Sequence, residues 1–217
     1  MNFAETAAFF DLLYGNCPES AGQVVLIAPS RRAVLSVHSV GRGADLVQAA
    51  KVAQKHPGCY FKTQLMDWSA IRDRARRTGK GAVGNRIEVK TLVGFSLDVD
   101  AGKSSKYVSR SQALWAMESL PTPPTLVVNS NGDGGGFHAY WTFVRPHLIT
   151  GSDDRKRLQA KSDRLCGRLR ELVGGKLDST SNIDRVLRVA GVDRLDGGRV
   201  TCERYEPDRL YSLEDFE

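Results

Sequence analysis

Val89-Lys-Thr-Leu-Val-Gly-Phe-Ser-Leu-Asp-Val-Asp100 reads as one long β-strand, and its last four residues carry the pattern on which the fold and the chemistry turn. Side chains alternate between the two faces of a strand, so Asp98 and Asp100 share one face while Leu97 and Val99 turn to the other. Two carboxylates so close at the end of an apolar strand repel each other and are costly unless a cation bridges them. Hard divalent ions seek oxygen ligands of this kind. The plain alternative is an Asp-rich turn at a strand end.

The pattern downstream is orderly. Residues 109–119 predict a helix capped by Ser109 or Ser111 that ends before Pro121. Residues 125–130 form a strand, 131–136 a glycine loop, and 137–144 another strand. A helix capped by Ser152 runs through Val173, with Leu158, Leu165, Leu169 and Leu172 on one stripe and Gly174-Gly175 closing it. Residues 183–190 supply a last short strand. The order βαββαβ predicts an α+β fold with an RRM/ferredoxin-like catalytic lobe over about 88–192. In that arrangement the 89–100 strand is central, flanked antiparallel by 137–144 and 183–190.

Upstream, residues 1–87 predict an N-terminal α/β lobe packed on the first. It holds a helix over 3–14, a hairpin of 24–29 and 33–40, a helix over 45–54 stopped by Pro57-Gly58, and a strand over 59–66. Residues 193–217 form a C-terminal extension.

Composition excludes several classes. The 217 residues are 41% hydrophobic, with 31 Lys and Arg against 25 Asp and Glu, too apolar and too balanced for a disordered chain. No apolar run approaches the roughly 18 residues of a membrane helix, and the first ten residues lack a basic-then-apolar signal layout. A soluble, intracellular protein is expected. Cys17, Cys59, Cys166 and Cys202 stand too far apart for a Cys-x-x-Cys zinc site and read as reduced, mostly buried thiols. The net charge of +6 favours a polyanionic partner. The basic run Arg72, Arg74, Arg76, Arg77, Lys80 and Arg86 reads either as a solvated helix face or as a mobile phosphate-contacting segment.

Two more junctions carry chemistry. Ser130-Asn-Gly-Asp-Gly-Gly-Gly136-Phe-His138 joins a glycine run, able to bring backbone N–H groups to an anion, to a histidine able to donate to a phosphate oxygen. Asp178, in the loop before the last strand, could complete a three-carboxylate site with Asp98 and Asp100. Arg185 or Arg188 could clamp phosphates with a planar fork. Ala101-Gly-Lys103-Ser is not a phosphate loop, because the glycine that motif needs five residues before Gly102 is Leu97.

Taken together, LDVD, SNGDGGGFHAYW and LDSTSNIDRVLRVAG resemble the three motifs of the archaeo-eukaryotic primase superfamily, in order and spacing, over about residues 90–192. YFKTQLMDW (60–68) resembles a strand found upstream in plasmid and phage primase–polymerases. The resemblance implies a primase or DNA-directed polymerase making RNA or DNA primers on a DNA template. Asp98, Asp100 and Asp178 would bind two catalytic Mg²⁺ or Mn²⁺ ions. Ser130, Gly136, His138, Arg185, Arg188 and Lys103 would surround the NTP or dNTP, and Arg72, Arg74, Arg76, Arg77, Lys80 and Arg86 would carry nucleic acid. The implied partners are single-stranded template, primer, nucleotides and a fused or associated helicase or replication protein, with the protein expected to be plasmid- or phage-encoded and to work in a bacterial cytoplasm. Two rivals stand beside it. A non-catalytic RRM-like reader would stack bases on sheet aromatics, but Asp98 and Asp100 would repel RNA there. A metal-dependent nuclease would also use a carboxylate cluster.

Overall fold

The computed structural model describes residues 2–30, 33–102, 107–132, 135–174 and 178–217, with backbone alone for Asp178 and Ser179. Five helices, α1 (Phe3–Tyr14), α2 (Gly43–Lys55), α3 (Trp68–Thr78), α4 (Arg110–Glu118) and α5 (Ser152–Val173), surround one sheet. Its strands are β1 (Gln23–Ile27), β2 (Val34–Ser39), β3 (Tyr60–Lys62), β4 (Leu65–Met66), β5 (Val89–Asp100), β6 (Leu126–Asn129), β7 (Phe137–Leu148), β8 (Asp178–Thr180), β9 (Val186–Arg188) and β10 (Thr201–Tyr205). They run in the order β10-β6-β7-β5-β4-β1-β3-β9, with β2 beside β1 and β8 beside β5, and every pairing is antiparallel.

The buried apolar residues divide between the two faces of β5 and β7. Leu97, Val99, Ala139 and Trp141 pack under α4 and α5 with Ala113, Met117, Leu158 and Leu165. Tyr140 turns the other way, into a core with Phe9 and Phe10 of α1, Ala49 and Ala53 of α2, and Phe61 of β3. The Phe9 and Phe61 rings lie 5.7 and 6.5 Å from that of Tyr140. A third cluster seats Ile71 of α3 against Val25, Ile27 and Met66. Among the described residues no helix is long and apolar enough to cross a membrane. The four cysteines carry thiols, and burial raises those of Cys17, Cys59 and Cys202 to about 12.

Several expectations need correction. The strand flanking the end of β5 is β8, at 178–180, not residues 183–190. Val186–Arg188 instead pair with β3, so the chain leaves β5 right after one short pairing and crosses to the far end of the sheet. The single strand expected over 59–66 is two, because Thr63 and Gln64 leave the ladder. The Gln64 side chain takes the place of a backbone rung: its Nε2 donates to Gly94 O at 3.0 Å and its Oε1 accepts from Val93 N at 2.8 Å, where β5 is bulged. The basic run over 72–77 lies on the regular helix α3, capped by Asp67 and closed by left-handed Gly79, in agreement with the helix-face reading. Ser109 caps α4 with Gln112 as its partner.

Ser152 does not cap α5; the cap residue is Gly151, without a side-chain bond. Asp154 does that work from inside the first turn. It accepts from Thr150 N at 3.1 Å, from Arg157 at 2.8 Å, and pairs with His147 Nε2 at 2.9 Å. Burial alone would raise its carboxyl, but the bonds from His147, Thr150 and Arg157 hold it well below the usual carboxylate range. Asp154→Asn should therefore lower stability by about 1–2 kcal/mol near neutral pH. A depressed folded-state pKa means that this contribution is complete above the unfolded value, about 4, and is lost as pH falls through the folded value. Urea unfolding of both proteins at about pH 7 and about pH 3 should show the gap narrowing in acid; a constant gap would refute the assignment.

Candidate active site

β5 delivers Asp98 and Asp100 to one end of the sheet while Leu97 and Val99, fully buried beneath, fix their direction. The neighbouring strands complete a row. Asp98 lies opposite His138 of β7 on one side and Thr180 of β8 on the other, and Asp100 lies opposite Asp178. Directly opposed residues in an antiparallel pair have Cα atoms about 4.5–5.5 Å apart, so backbone register alone brings all three aspartates together.

Asp98 sits between two basic groups. Arg185 donates from one terminal nitrogen to Asp98 Oδ2 at 2.6 Å, and His138 Nε2 lies 3.8 Å from Oδ1. His138 is buried, whereas the carboxylate remains 27% exposed and open to a ligand. Just behind them, burial and then the neighbouring Tyr14 and Asp98 hold the Tyr140 hydroxyl well above its ordinary pKa, so it stays protonated.

The glycine loop forms the next wall. Ser130 N donates to Gly136 O at 3.1 Å and closes it. Gly135 has φ of +71°, and a Cβ there would run into the Ala101 carbonyl oxygen, so the loop can pass β5 only without a side chain. A Cβ on Gly136 would lie 3.8 Å from Asp100 Oδ1, so this glycine keeps the space before the carboxylate clear. From outside, Arg110 donates to Gly132 O at 3.1 Å, lies 4.3 Å from the Phe137 ring centroid and pairs with Glu203 at 2.6 Å.

Arg188 arrives on β9, opposite Tyr60 of β3. It donates to Ser130 O at 2.7 Å and lies 5.8 Å from the Tyr60 ring. The result is a cavity of about 240 Å³ lined by Asp98, Asp100, Ser130, His138, Arg188, Tyr60 and Asn131, with Val186 and Leu187. A supporting lysine lies deeper. Lys62 is 3% exposed and donates to Asp184 O at 2.9 Å, anchoring the turn that carries Arg185; burial lowers its pKa, with Asp184 and Glu88 opposing.

Asp98, Asp100, Ser130, His138 and Arg188 thus share one cavity, Arg185 reaches it through Asp98, and Gly136 lies beside Asp100 without lining the cavity. Lys103 lies outside the described residues. Of the basic run, Arg72, Arg76, Arg77, Lys80 and Arg86 are exposed, and none lines the cavity. Arg74 differs, because it grips the buried carboxylate of Glu88 at 2.5 Å. Sequence reading missed Tyr60, Asn131 and Arg110. Tyr60 lies in the YFKTQLMDW segment, but only the β3–β9 pairing puts it beside Arg188.

The donor set fits a hard divalent cation: two carboxylates on one strand face, space in front of them, and no Cys or Met among the described lining residues. Among the described residues no group of three or more His, Cys, Asp or Glu gathers at one point; Asp178, whose side chain is not described, is the register partner that would add a third.

The architecture has a counterpart among solved structures. The AEP domain of the primase-polymerase (PrimPol) of cyanophage S-2L superposes with a TM-score of 0.54 and 17% sequence identity, covering 98% of this chain and 95% of that one. The chain therefore has the mixed α/β fold, with an antiparallel sheet, of a primase-polymerase AEP domain. No protein-family model and no curated protein matches the sequence.

Gly135→Ala tests the loop against a matched control. Gly79 has a similar φ of +66° but open space around it. Gly79→Ala should cost about 1 kcal/mol from backbone strain alone, and Gly135→Ala clearly more, read as the larger drop in melting temperature. Equal drops would mean that the loop does not pass β5 this closely.

Proposed function

We propose that the protein is a primase–polymerase of the archaeo-eukaryotic primase superfamily, a nucleotidyltransferase that extends or starts RNA or DNA primers on a DNA template. The observation that carries this reading is the cavity shared by Asp98, Asp100, Ser130, His138 and Arg188, with Asp178 paired in backbone register to Asp100. The counterpart's name, primase-polymerase, supports the same direction. The segment β5-α4-β6-β7-α5-β8 is taken as the RRM/ferredoxin-like catalytic lobe, within the division 1–87, 88–192 and 193–217 drawn from the sequence.

In this reading Asp98, Asp100 and Asp178 hold two Mg²⁺ or Mn²⁺ ions. When bound, the ions activate a 3′-hydroxyl and stabilise charge on the leaving pyrophosphate. The chain's own groups bind and orient the nucleotide. His138 donates from Nε2 to a phosphate oxygen, the glycine loop offers backbone N–H groups, and Arg188 brings a guanidinium already braced on Ser130. Arg185 offsets the negative charge of Asp98 while no ion is there. Oxygen of the 3′-hydroxyl attacks the α-phosphorus, the α–β bridging bond breaks, and pyrophosphate leaves. The reader and nuclease alternatives explain less: a reader has no use for the paired aspartates, and a nuclease acting on a single phosphodiester does not call for the added His138 and Arg188.

Incubation with single-stranded DNA, labelled nucleotides and Mn²⁺ or Mg²⁺, with and without a primer, tests the function directly. Asp98→Asn, which keeps an acceptor for Arg185, and Asp100→Ala should abolish incorporation with the fold intact, because each removes one of two repelling carboxylates. His138→Ala should raise the nucleotide KM and lower kcat while leaving template binding unchanged. Near-normal synthesis by either aspartate variant at saturating metal would sink the reading.

The exposed cations of α3 and the segment after it are the proposed strand contacts. Neutralising Arg72, Arg76 and Arg77 together should weaken single-strand binding and flatten the slope of log K against log salt by about 0.7 per lost contact. Arg74→Ala should instead reduce stability, since it strands the buried Glu88 carboxylate. An unchanged salt slope would make these arginines simple solvation.

A further inference from the structure

A second cavity adjoins the first and differs from it in chemistry. It is lined by Pro29, Gly58, Tyr60, Arg188, Arg194, Leu195 and Asp196, and so shares Tyr60 and Arg188 with the aspartate cavity. The first is walled by Asp98, Asp100, His138 and the start of the glycine loop at Ser130 and Asn131; the second adds Pro29, Gly58 and Leu195 to the Tyr60 ring, with Arg194 and Asp196 paired to each other beside them. Leu195 is 74% exposed, the most exposed of the large apolar side chains described.

A lone exposed leucine needs no explanation. This one stands on a hairpin tip that is fixed in place. Residues 193–199 fold back through the Asp193–Arg199 bridge, with Arg199 Nε on Asp193 at 2.8 Å and Arg194 N on Gly198 O at 2.6 Å. The Arg194–Asp196 ion pair and left-handed Gly197 tighten the tip. One flank is tied to the strand before β3 by Gly58 N donating to Asp193 O at 2.7 Å. A Cβ on Gly58 would come within 2.9 Å of Leu195 Cγ, so this glycine lets the leucine approach. The other flank reaches the glycine loop, where a Cβ on Gly132 would lie 3.1 Å from the Arg194 guanidinium. An apolar side chain held rigidly at the rim of a polar cavity is preorganised for an amphipathic ligand.

We propose that the 193–199 hairpin, with Pro29 and Tyr60, is the nucleoside subsite of this active site: the base of the incoming nucleotide rests against Leu195 and the edge of Tyr60, and its triphosphate passes Arg188 into the aspartate cavity. This deepens, and rests on, the nucleotidyl-transfer reading. A nucleotide is planar with apolar faces at one end and polyanionic at the other; Pro29, Leu195 and Tyr60 give the second cavity its apolar surface, while the first carries the carboxylates and His138. Arg188, common to both, marks the crossing between base and phosphates.

The test titrates the full-length protein with Mn²⁺ and three probes: a nucleoside triphosphate, inorganic tripolyphosphate and a single-stranded oligonucleotide. Leu195→Ala removes only exposed apolar surface, so the variant keeps its stability. It should bind the nucleotide about five- to tenfold more weakly, as loss of an apolar contact to one base implies, with tripolyphosphate and oligonucleotide affinities unchanged. Leu195→Phe should restore or exceed wild-type nucleotide affinity. Unchanged nucleotide affinity in Leu195→Ala would overturn the subsite, as would an equal loss for nucleotide and tripolyphosphate, which would mean that the hairpin shapes the phosphate cavity. A loss confined to the oligonucleotide would assign the hairpin to the template strand and overturn it as well. A wild-type protein that binds neither nucleotide nor tripolyphosphate would bring down the nucleotidyl-transfer reading itself.

Discussion

Asp98 and Asp100 repel each other, and β5 holds them side by side because its backbone is gripped along both flanks and its other face is buried. The repulsion of two half-exposed charges at this spacing is about 1–3 kcal/mol. Burial of Phe95, Leu97 and Val99 on the opposite face contributes about 1.5–3 kcal/mol for each side chain, so packing wins and the carboxylates must go where alternation sends them. The ladder with β7 then fixes His138, and the short β8 ladder fixes Asp178. Arg185 reduces what repulsion is left.

The glycine loop depends on that same placement. It must pass over the end of β5 at a distance no side chain permits, and it is kept from collapsing by Arg110, which bridges it to Glu203 on β10. One wall of the cavity is therefore held by α4 and β10, and the opposite wall by Lys62 and the turn at Asp184. The cavity's shape is set by residues from nearly every part of the chain, although its charge comes from a few.

Local patterns were readable in the sequence where local physics decides them. The strand at 89–100, the hairpin of β1 and β2, the capping of α4 and the facing of Asp98 and Asp100 all follow from periodicity and caps. What escaped was set by distant partners. Residues 183–190 have the composition of a strand, but which strand they join depends on β3, about 125 residues away by the paired positions Lys62 and Val186. Gln64 breaks a strand by offering its side chain as a rung, and no short-range signal foretells that. Arg74 looks like its neighbours in a basic run and differs only because Glu88 folds back beneath it. Tyr60 joins the cavity through the same unforeseen pairing.

Tyr140 illustrates a consequence for how the protein can be taken apart. It stands two residues from His138, yet the rings that cover it, Phe9 and Phe61, belong to the first third of the chain. The bulge of β5 is likewise stitched by Gln64 from the same third. A fragment cut near residue 88 would uncover Tyr140, on the same face of β7 as His138, and leave the bulge without its Gln64 bonds. Packing thus ties α1 and β3 to the strands that carry the aspartate row, across the boundary drawn near residue 88.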